Sequence, residues 1–379
     1  MKKRICLFHP WLKSRGGAEA VVLAFLKNTK HKVDVYTWAY DKDRTFPEFS
    51  NYNIKVIAPP FAKSLSRLFL LRSLLLFFSK LPLDDYDILF LSTSGVAEVI
   101  LLRNKPKKTV VYCHTILRAA NPEDVRWNLD NKYRNPIMQT IYNTSVGFYN
   151  FLERKSWKHI DKVIFNSELS KERAERKNLI NNIPSEVINP PVRLDKFNKL
   201  KLKSGNYFFY PSRFNLPKRQ GLLIEAWKVF QKRHPKEMLV LAGSVEKQEY
   251  YEYLKKKAEG LKIIFRPNIS DEEMLDLYAH CKAGIFVPFV EDWGIVPFEF
   301  IALNKPLIAV DRGGYTPSVN SYPLYFPVIE RIDEYLMIKE INTTLEKFLN
   351  TKIKNRKEYK VKILNEKEFA REVDRCLKI

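Results

Sequence analysis

Two glutamates, Glu291 and Glu299, stand with seven residues between them in Glu291-Asp292-Trp293-Gly294-Ile295-Val296-Pro297-Phe298-Glu299. The apolar run Ala283-Gly284-Ile285-Phe286-Val287-Pro288-Phe289 precedes them and reads as a strand. Glu291 therefore falls on a strand-end loop, and Glu299 in the first turns of the helix that follows. Gly294 lets the backbone come close to a ligand. A loop that feeds a helix N-terminus presents N–H donors and the positive end of a dipole, which suits a diphosphate or sugar hydroxyls. The pair alone would also fit an acidic loop and an ordinary helix start. A second glycine turn, Asp311-Arg312-Gly313-Gly314, follows the next apolar run, Pro306–Val310. Ligand-friendly loops at successive strand ends are what an open α/β sheet presents at its binding crevice.

Other residues share that placement. Arg213 and Lys218 lie in Pro211-Ser212-Arg213-Phe214-Asn215-Leu216-Pro217-Lys218, just after an aromatic strand. Two cations there can neutralise a diphosphate, Arg as a bidentate fork and Lys as a point charge. A solvated basic loop would read the same way in so basic a chain. His114 ends the strand Val110-Val111-Tyr112-Cys113 and can hydrogen-bond a hydroxyl or move a proton. A structural histidine is the plainer alternative. Arg118, one turn on, is a candidate for an anionic acceptor. Gly16-Gly17 closes the first strand-to-helix turn without the G-x-G-x-x-G spacing of a dinucleotide site, and still allows backbone approach to phosphate or sugar.

These loops need strands to carry them. Strands are expected at Arg4–Phe8, His31–Tyr36, Ile88–Leu91, Thr109–Tyr112, Val163–Asn166 and Glu186–Ile188, separated by helical stretches such as Gly17–Lys27. A second alternation runs through Tyr207–Tyr210, Leu239–Ala242, Lys262–Phe265, Gly284–Val287 and Leu307–Val310. Short apolar strands alternating with helices indicate parallel sheets. The chain reads as α/β with two similar domains, 1–195 and 206–362, and a cleft between them. The Lys-rich run Lys196–Asn206 reads as a linker, residues 347–362 as a solvated helical surface, and Glu368–Leu377 as an amphipathic helix.

At 379 residues two domains are the prior, and 45% hydrophobic content indicates a globular chain. Cys6, Cys113, Cys281 and Cys376 show no paired spacing, so they read as thiols in a reducing compartment without a zinc site. The net charge of +22 has no accompanying nucleic-acid module, which leaves an anionic membrane surface or a Lys-rich proteome as accounts. Phe61–Leu81, FAKSLSRLFLLRSLLLFFSKL, is broken by Lys63, Arg67, Arg72 and Lys80. It has no unbroken span of the ~20 residues that crosses a bilayer, but suits the headgroup interface. A core helix with a basic outer face is the alternative.

Together these residues resemble the family 4 retaining glycosyltransferases of GT-B architecture. Gly16-Gly17-Ala18-Glu19, the His114 strand end, Ser212-Arg213 with Lys218, and Glu291 with Glu299 occur in that family's order, punctuated by Asn166-Ser167 and Asn189-Pro190-Pro191-Val192. The resemblance runs from residue 5 to about 320. The Tyr112-Cys113-His114-Thr115 and Glu291–Pro297 variants look most like mannosyltransferases of polysaccharide and lipid-linked oligosaccharide assembly.

The resemblance implies two Rossmann-like domains whose parallel sheets face each other across a cleft, with residues 363–379 crossing back to the first domain. It implies transfer of a hexose, mannose being one candidate, from a nucleotide diphosphate sugar to a lipid-linked or glycan acceptor. Arg213 and Lys218 would hold the diphosphate and Glu299 the ribose. Glu291 would lie beside the donor sugar and His114 would contact it from the other domain. Amides near Gly17, Gly294, Ile295 and Val296 would complete the cradle, with no bound metal and no cofactor besides the donor. The setting would be the cytoplasmic membrane face, in peripheral contact with anionic lipid and without nucleic acid. A GT-B epimerase, a phosphorylase or a non-catalytic subunit would share these features. Two departures bear on base and sugar identity: Pro317 stands where an acid is usual, and Arg266-Pro267-Asn268-Ile269 lacks a customary glycine.

Overall fold

The computed structural model describes residues 2–58, 75–131, 133, 135–193, 195–197, 200–203, 205–353 and 363–378. It divides into two compact units, Met1–Pro191 with Leu364–Ile379, and Val192–Ile363. Most of the Phe61–Leu81 segment lies outside the described residues. In its described tail, Leu76 and Leu81 are buried and Phe78 is exposed. Of residues 347–362, the helix Glu334–Asn350 takes the first four, and 354–362 lie outside the described residues.

The first unit holds strands β1 (Arg4–Phe8), β2 (Trp11–Leu12), β3 (Lys32–Thr37), β4 (Ala39–Tyr40), β5 (Ile54–Val56), β6 (Ile88–Thr93), β7 (Thr109–Cys113), β8 (Lys162–Phe165) and β9 (Ser185–Val187). A seven-stranded parallel sheet has the order β5-β3-β1-β6-β7-β8-β9, with β2 and β4 paired separately. Every residue of β6 and β7 is buried, as parallel strands covered on both faces require. The second unit holds β10 (Tyr207–Pro211), β11 (Met238–Gly243), β12 (Ile263–Pro267), β13 (Ala283–Phe286), β14 (Leu307–Val310) and β15 (Tyr325–Val328). Its six-stranded parallel sheet runs β12-β11-β10-β13-β14-β15.

The sequence reading omits β5 and β15, and both are edge strands. β15 carries Pro327, which a central strand would reject for want of an N–H and an edge tolerates. The run expected to be a linker is packed at its start. Val192 and Phe197 are buried in the second unit's core, and the Lys203 amide donates to the Ala279 carbonyl at 3.2 Å. The lysine count hid that contact, because among the described residues of the run only the Phe197 ring is buried.

In each sheet the strand order reverses once, between β1 and β6 in the first unit and between β10 and β13 in the second. Loops leaving the C-terminal ends of such neighbours diverge to opposite faces and open a crevice. The loops after β1, β6, β10 and β13 are therefore where ligand-binding side chains belong.

The final helix, Glu366–Cys376, starts with a capping box between Asn365 and Glu368 and packs on the first unit. Phe369 is buried edge-on against Tyr112, ring centroids 5.6 Å apart. Asp374 accepts from the Thr29 hydroxyl at 2.6 Å and the Lys30 amide at 3.1 Å, at the end of the Gly17–Asn28 helix. Glu186 takes Lys162 and Arg375, each at 2.5 Å. Burial works against its charge, yet bonds from Cys376, Lys162 and Arg375 hold its carboxyl down at about 2. Phe369→Ala should lower the stability of the first unit by about 3–5 kcal/mol, read from its urea-unfolding transition. A loss below about 1 kcal/mol would show that the helix is dispensable.

Candidate active site

The β10–α loop begins at Ser212. Gln220 is wholly buried, and its amide donates to Ser212 Oγ at 2.9 Å and to the Arg213 carbonyl at 2.7 Å. Those two bonds fix the backbone from which Arg213 projects. The Arg213 guanidinium is exposed and meets Glu246 at 2.5 Å, while Asn215 donates to the other Glu246 oxygen at 3.0 Å. Pro217 accepts from the Phe289 amide at 2.8 Å, tying this loop to the one that follows β13.

Lys218 and Glu291 meet across that tie, Nζ to Oε2 at 2.5 Å, with both side chains largely shielded from water. The ammonium also lies 5.7 Å from the Phe286 ring centroid. The Glu291 carbonyl accepts from Gly314 at 2.8 Å, so the two glycine loops of the sequence reading are one hydrogen-bonded surface. Tyr315 is wedged beneath both and donates to the Val310 carbonyl at 2.6 Å. Gly294 has φ of +80°, and a Cβ there would come within 2.8 Å of the Tyr315 ring. At Gly313 the approach would be 2.5 Å. Both glycines thus serve the seating of Tyr315.

Glu299 is buried in the helix Val296–Ala302, and both its oxygens are engaged. Tyr278, fully buried, donates to Oε2, and Lys196 reaches Oε1 at 2.7 Å. Ile295 caps that helix and is exposed, and Val296 is its first residue.

Arg219 occupies the left-handed region at φ +53° immediately after Lys218. Its guanidinium lies over the Phe289 ring at 4.8 Å and meets Glu330 at 2.8 Å, both groups being shielded from solvent. Burial raises the Glu330 carboxyl and the Arg219 charge opposes it. A non-glycine residue here costs about 1 kcal/mol, which the ion pair and ring contact offset.

In the first unit, three neighbouring strand ends are joined by one hydroxyl. Ser92 Oγ lies 2.9 Å from His9 Nδ1 and 2.8 Å from His114 Nε2, and all three residues are buried. Burial pushes His9 down to about 4 and, with the repulsion of His9, His114 down to about 3. Both rings are therefore neutral at pH 7 and suit hydroxyls better than phosphate. Gly16 caps the Gly17–Asn28 helix without a side-chain bond, and Glu19 lies over it, held by Ser14 at 2.8 Å. A carboxylate already occupies that dipole end. Arg118 is gripped by Asp124 through two nitrogens, at 2.8 and 2.9 Å, and Asn121 donates to the same carboxylate at 2.9 Å. Its guanidinium secures the turn into the next helix.

Among the candidates in the second unit, the structure joins Lys218 to Glu291 and links both loops to Gly294 and Tyr315. It gives Arg213 and Glu299 separate partners, Glu246 and Lys196. His9, Ser92, Lys196, Arg219, Glu246 and Tyr278 were not singled out from sequence. His9 could have been found by the rule applied to His114, since it follows β1 directly. Among the described residues no group of three His, Cys, Asp or Glu is placed to hold a metal ion. No described helix is long and apolar enough to cross a membrane.

Residues 15–196 match the family model Glycosyltransferase Family 4, and residues 192–360 match Glycosyl transferases group 1. The chain is 26% identical to alpha-1,3/1,6-mannosyltransferase ALG2 of Dictyostelium discoideum over 82% of each chain. The Homo sapiens protein of that name is 23% identical, covering 84% of this chain and 82% of the relative. Among solved structures, Anabaena Alr3699/HepE in complex with UDP and glucose superposes with a TM-score of 0.66 at 16% identity, over 99% of both chains. Trehalose-6-phosphate synthase OtsA gives 0.64 at 13% identity, over 92% of both. These likenesses establish a GT-B fold.

Two outcomes follow from the buried groups. The unfolded chain takes up protons on its histidines below about pH 6.5, whereas His9 and His114 stay neutral in the fold to about 4 and about 3. Stability should fall as pH drops through that window, by up to about 1.4 kcal/mol per pH unit for each ring. Denaturant titrations at pH 7, 6 and 5 should show a shallower dependence in His9→Gln, and an unchanged slope would contradict the placement. At residue 219, Arg219→Gly removes the ion pair but suits φ +53°, while Arg219→Ala keeps the strain. The glycine variant should be the more stable by about 1 kcal/mol in urea melts.

Proposed function

We propose a specific reaction for this chain, which belongs to glycosyltransferase family 4 and transfers a hexose from a nucleotide-activated donor. The sugar is mannose, it leaves its nucleoside diphosphate with retained configuration, and the acceptor is a lipid-linked or glycan hydroxyl. The observation that carries this reading is the Lys218–Glu291 pair, placed where β10 and β13 diverge with Arg213 on the same loop. Mannose is favoured by the alpha-1,3/1,6-mannosyltransferase activity of the ALG2 relatives.

Breaking the bond from the anomeric carbon to phosphate loads negative charge on the departing diphosphate. Lys218 supplies a fixed, poorly hydrated counter-charge there, and Arg213 a mobile one that exchanges Glu246 for phosphate oxygens. The amides of Gly294, Ile295 and Val296 lie on the Glu291 loop and the start of its helix and are assigned to the diphosphate and sugar. Glu291 aims the Lys218 ammonium and sits beside the donor sugar. Glu299 takes the ribose diol, with Tyr278 holding the carboxylate in orientation while Lys196 yields its oxygen.

Retention follows if the acceptor attacks from the face the diphosphate leaves. The acceptor oxygen bonds to the anomeric carbon, the carbon–phosphate oxygen bond breaks, and the acceptor proton passes to the leaving phosphate oxygen. His114, depressed to about 3, is a poor base at pH 7, which favours that route for the proton. His114 is assigned instead to a sugar hydroxyl, with the backbone at Gly16 and Gly17 on the acceptor side. The reaction needs no metal in this reading, because the two cations serve the leaving group. The setting is peripheral, at the cytoplasmic face of a membrane, with Phe61–Leu81 toward anionic lipid.

Glu291→Ala and Arg213→Ala should each lower kcat/KM by about 100-fold or more, roughly 2.7 kcal/mol, with melting temperatures near wild type. Glu299→Gln should raise the donor KM with a smaller change in kcat, as loss of ground-state binding does. Labelled nucleoside diphosphate mannoses with guanine, uracil or adenine as base, each supplied with and without acceptor, read the reaction class directly. Turnover without acceptor, or only with inorganic phosphate, would replace transfer by epimerisation or phosphorolysis. No turnover alone, with binding intact, would indicate a non-catalytic subunit.

A further inference from the structure

The helix Pro136–Trp157 begins under an Asn135 cap that accepts from the Ile137 and Met138 amides, with Pro136 at its first position. One side of it is bound into the first unit. Val146, Tyr149, Glu153, Ser156 and Trp157 are buried there, and the Tyr149 hydroxyl donates to the Gly95 carbonyl at 2.6 Å. Tyr142 stacks on Tyr133 at 4.6 Å and donates to the Ala119 carbonyl at 2.5 Å.

The other side is apolar and uncovered. Ile137, Ile141, Phe148 and Phe151 are 71%, 55%, 43% and 52% exposed, and Met138 beside them 45%. Spacings of four, seven and three residues put the first four on one stripe, about 21 Å long at 1.5 Å per residue. Aqueous surfaces scatter such residues singly and seldom align them. The stripe ends in exposed Arg154, Lys155 and Lys158, with the Lys155 ammonium 5.6 Å from the Phe151 ring centroid. The one acid of the helix, Glu153, is fully buried beneath Lys177 and Tyr149, so its exposed side carries no carboxylate.

We propose that this face of the Pro136–Trp157 helix docks on an anionic lipid bilayer, the four-residue stripe lying among the acyl chains and Arg154, Lys155 and Lys158 at the phosphates. An interfacial helix has this composition, a wet basic edge on an apolar face that runs parallel to the membrane. Charge decides between occupants. A second copy of the chain would bring three more cations to a face without acids, whereas a bilayer supplies both the apolar layer and the negative surface. The proposal stands on this helix alone, independent of Phe61–Leu81 and of the donor assignments.

Vesicle flotation of the full-length protein, with no donor or acceptor added, tests it. The triple variant Ile141→Asn, Phe148→Asn, Phe151→Asn should lose at least about tenfold in partitioning to vesicles of equal phosphatidylglycerol and phosphatidylcholine. Arg154→Gln, Lys155→Gln, Lys158→Gln should lose a similar factor on those vesicles and show little change on pure phosphatidylcholine. Transfer to a water-soluble acceptor should be unaltered in both, which separates failure of this proposal from failure of the transferase reading. Wild-type partitioning by the triple apolar variant overturns it. So does a wild-type dimer that the variant dissolves, which would make the face an interface between copies. A melting temperature lowered by about 5 °C or more in the variant also overturns it, since the chain itself would then cover the stripe.

Discussion

Parallel pairing of β10 with β13 is the constraint on which the second unit's site rests. Phe208 is registered against Ala283 and Phe209 against Gly284. That register brings the loop after Pro211 level with the loop after Phe286. Because the strand order reverses at this pair, the connections leave toward opposite faces and the loop tips stay apart at the crevice. The Pro217–Phe289 backbone bond then closes them at one point, and Lys218 and Glu291 are the first ionisable groups beyond it. A one-residue slip would invert which side chains face the core and would part the ammonium from the carboxylate.

Around that junction each loop is held by a buried side chain belonging to something else. Gln220 braces the Arg213 backbone from the following helix, Tyr315 wedges under the two glycine turns, and Tyr278 holds Glu299 from below. Removing a charge from water costs several kcal/mol unless a partner stands ready, so shielded cations beside a crevice come with carboxylates. Lys218 with Glu291 and Arg219 with Glu330 satisfy that requirement within the second unit. Arg213, more exposed, bears a looser pairing with Glu246 and has little desolvation to lose on exchanging it for phosphate.

Much of this could be read from residues in order. The runs Ile88–Leu91 and Leu307–Val310 are apolar at every position, and both are buried central strands. Strand-end placement of Arg213, Lys218, Glu291 and His114 followed from the same alternation. Three things escaped. Edge strand β5 is three residues long and broken by Lys55, and β15 carries a proline, so neither announces itself. Partners contributed by distant segments, such as Glu246 for Arg213 and Lys196 for Glu299, have no local signal. His9 and Ser92 emerged only when register placed β1, β6 and β7 side by side, because a hydroxyl shared by two rings is a property of the sheet.

The missing glycine after β12, one of the departures from the family pattern, has a physical answer. Where a glycine is customary after β12, Asn268 adopts φ +52°, which asparagine tolerates better than most residues. It uses its side chain as glycine could not, accepting from the Val245 amide at 3.0 Å while its own amide donates to the Gly243 carbonyl at 2.9 Å. Val245 in turn bridges to Phe214, one residue beyond Arg213. Arg219 repeats the device at φ +53°, giving up conformational ease for an ion pair and a ring contact that bear on the Lys218 loop. In both cases a left-handed position carries a side chain whose bonds reach a neighbouring loop of the site. Strain of about 1 kcal/mol at each is offset by contacts that also rigidify the donor side. A missing glycine in this chain is therefore a gain in loop order, and a search by glycine spacing alone passes over the places where that order is made.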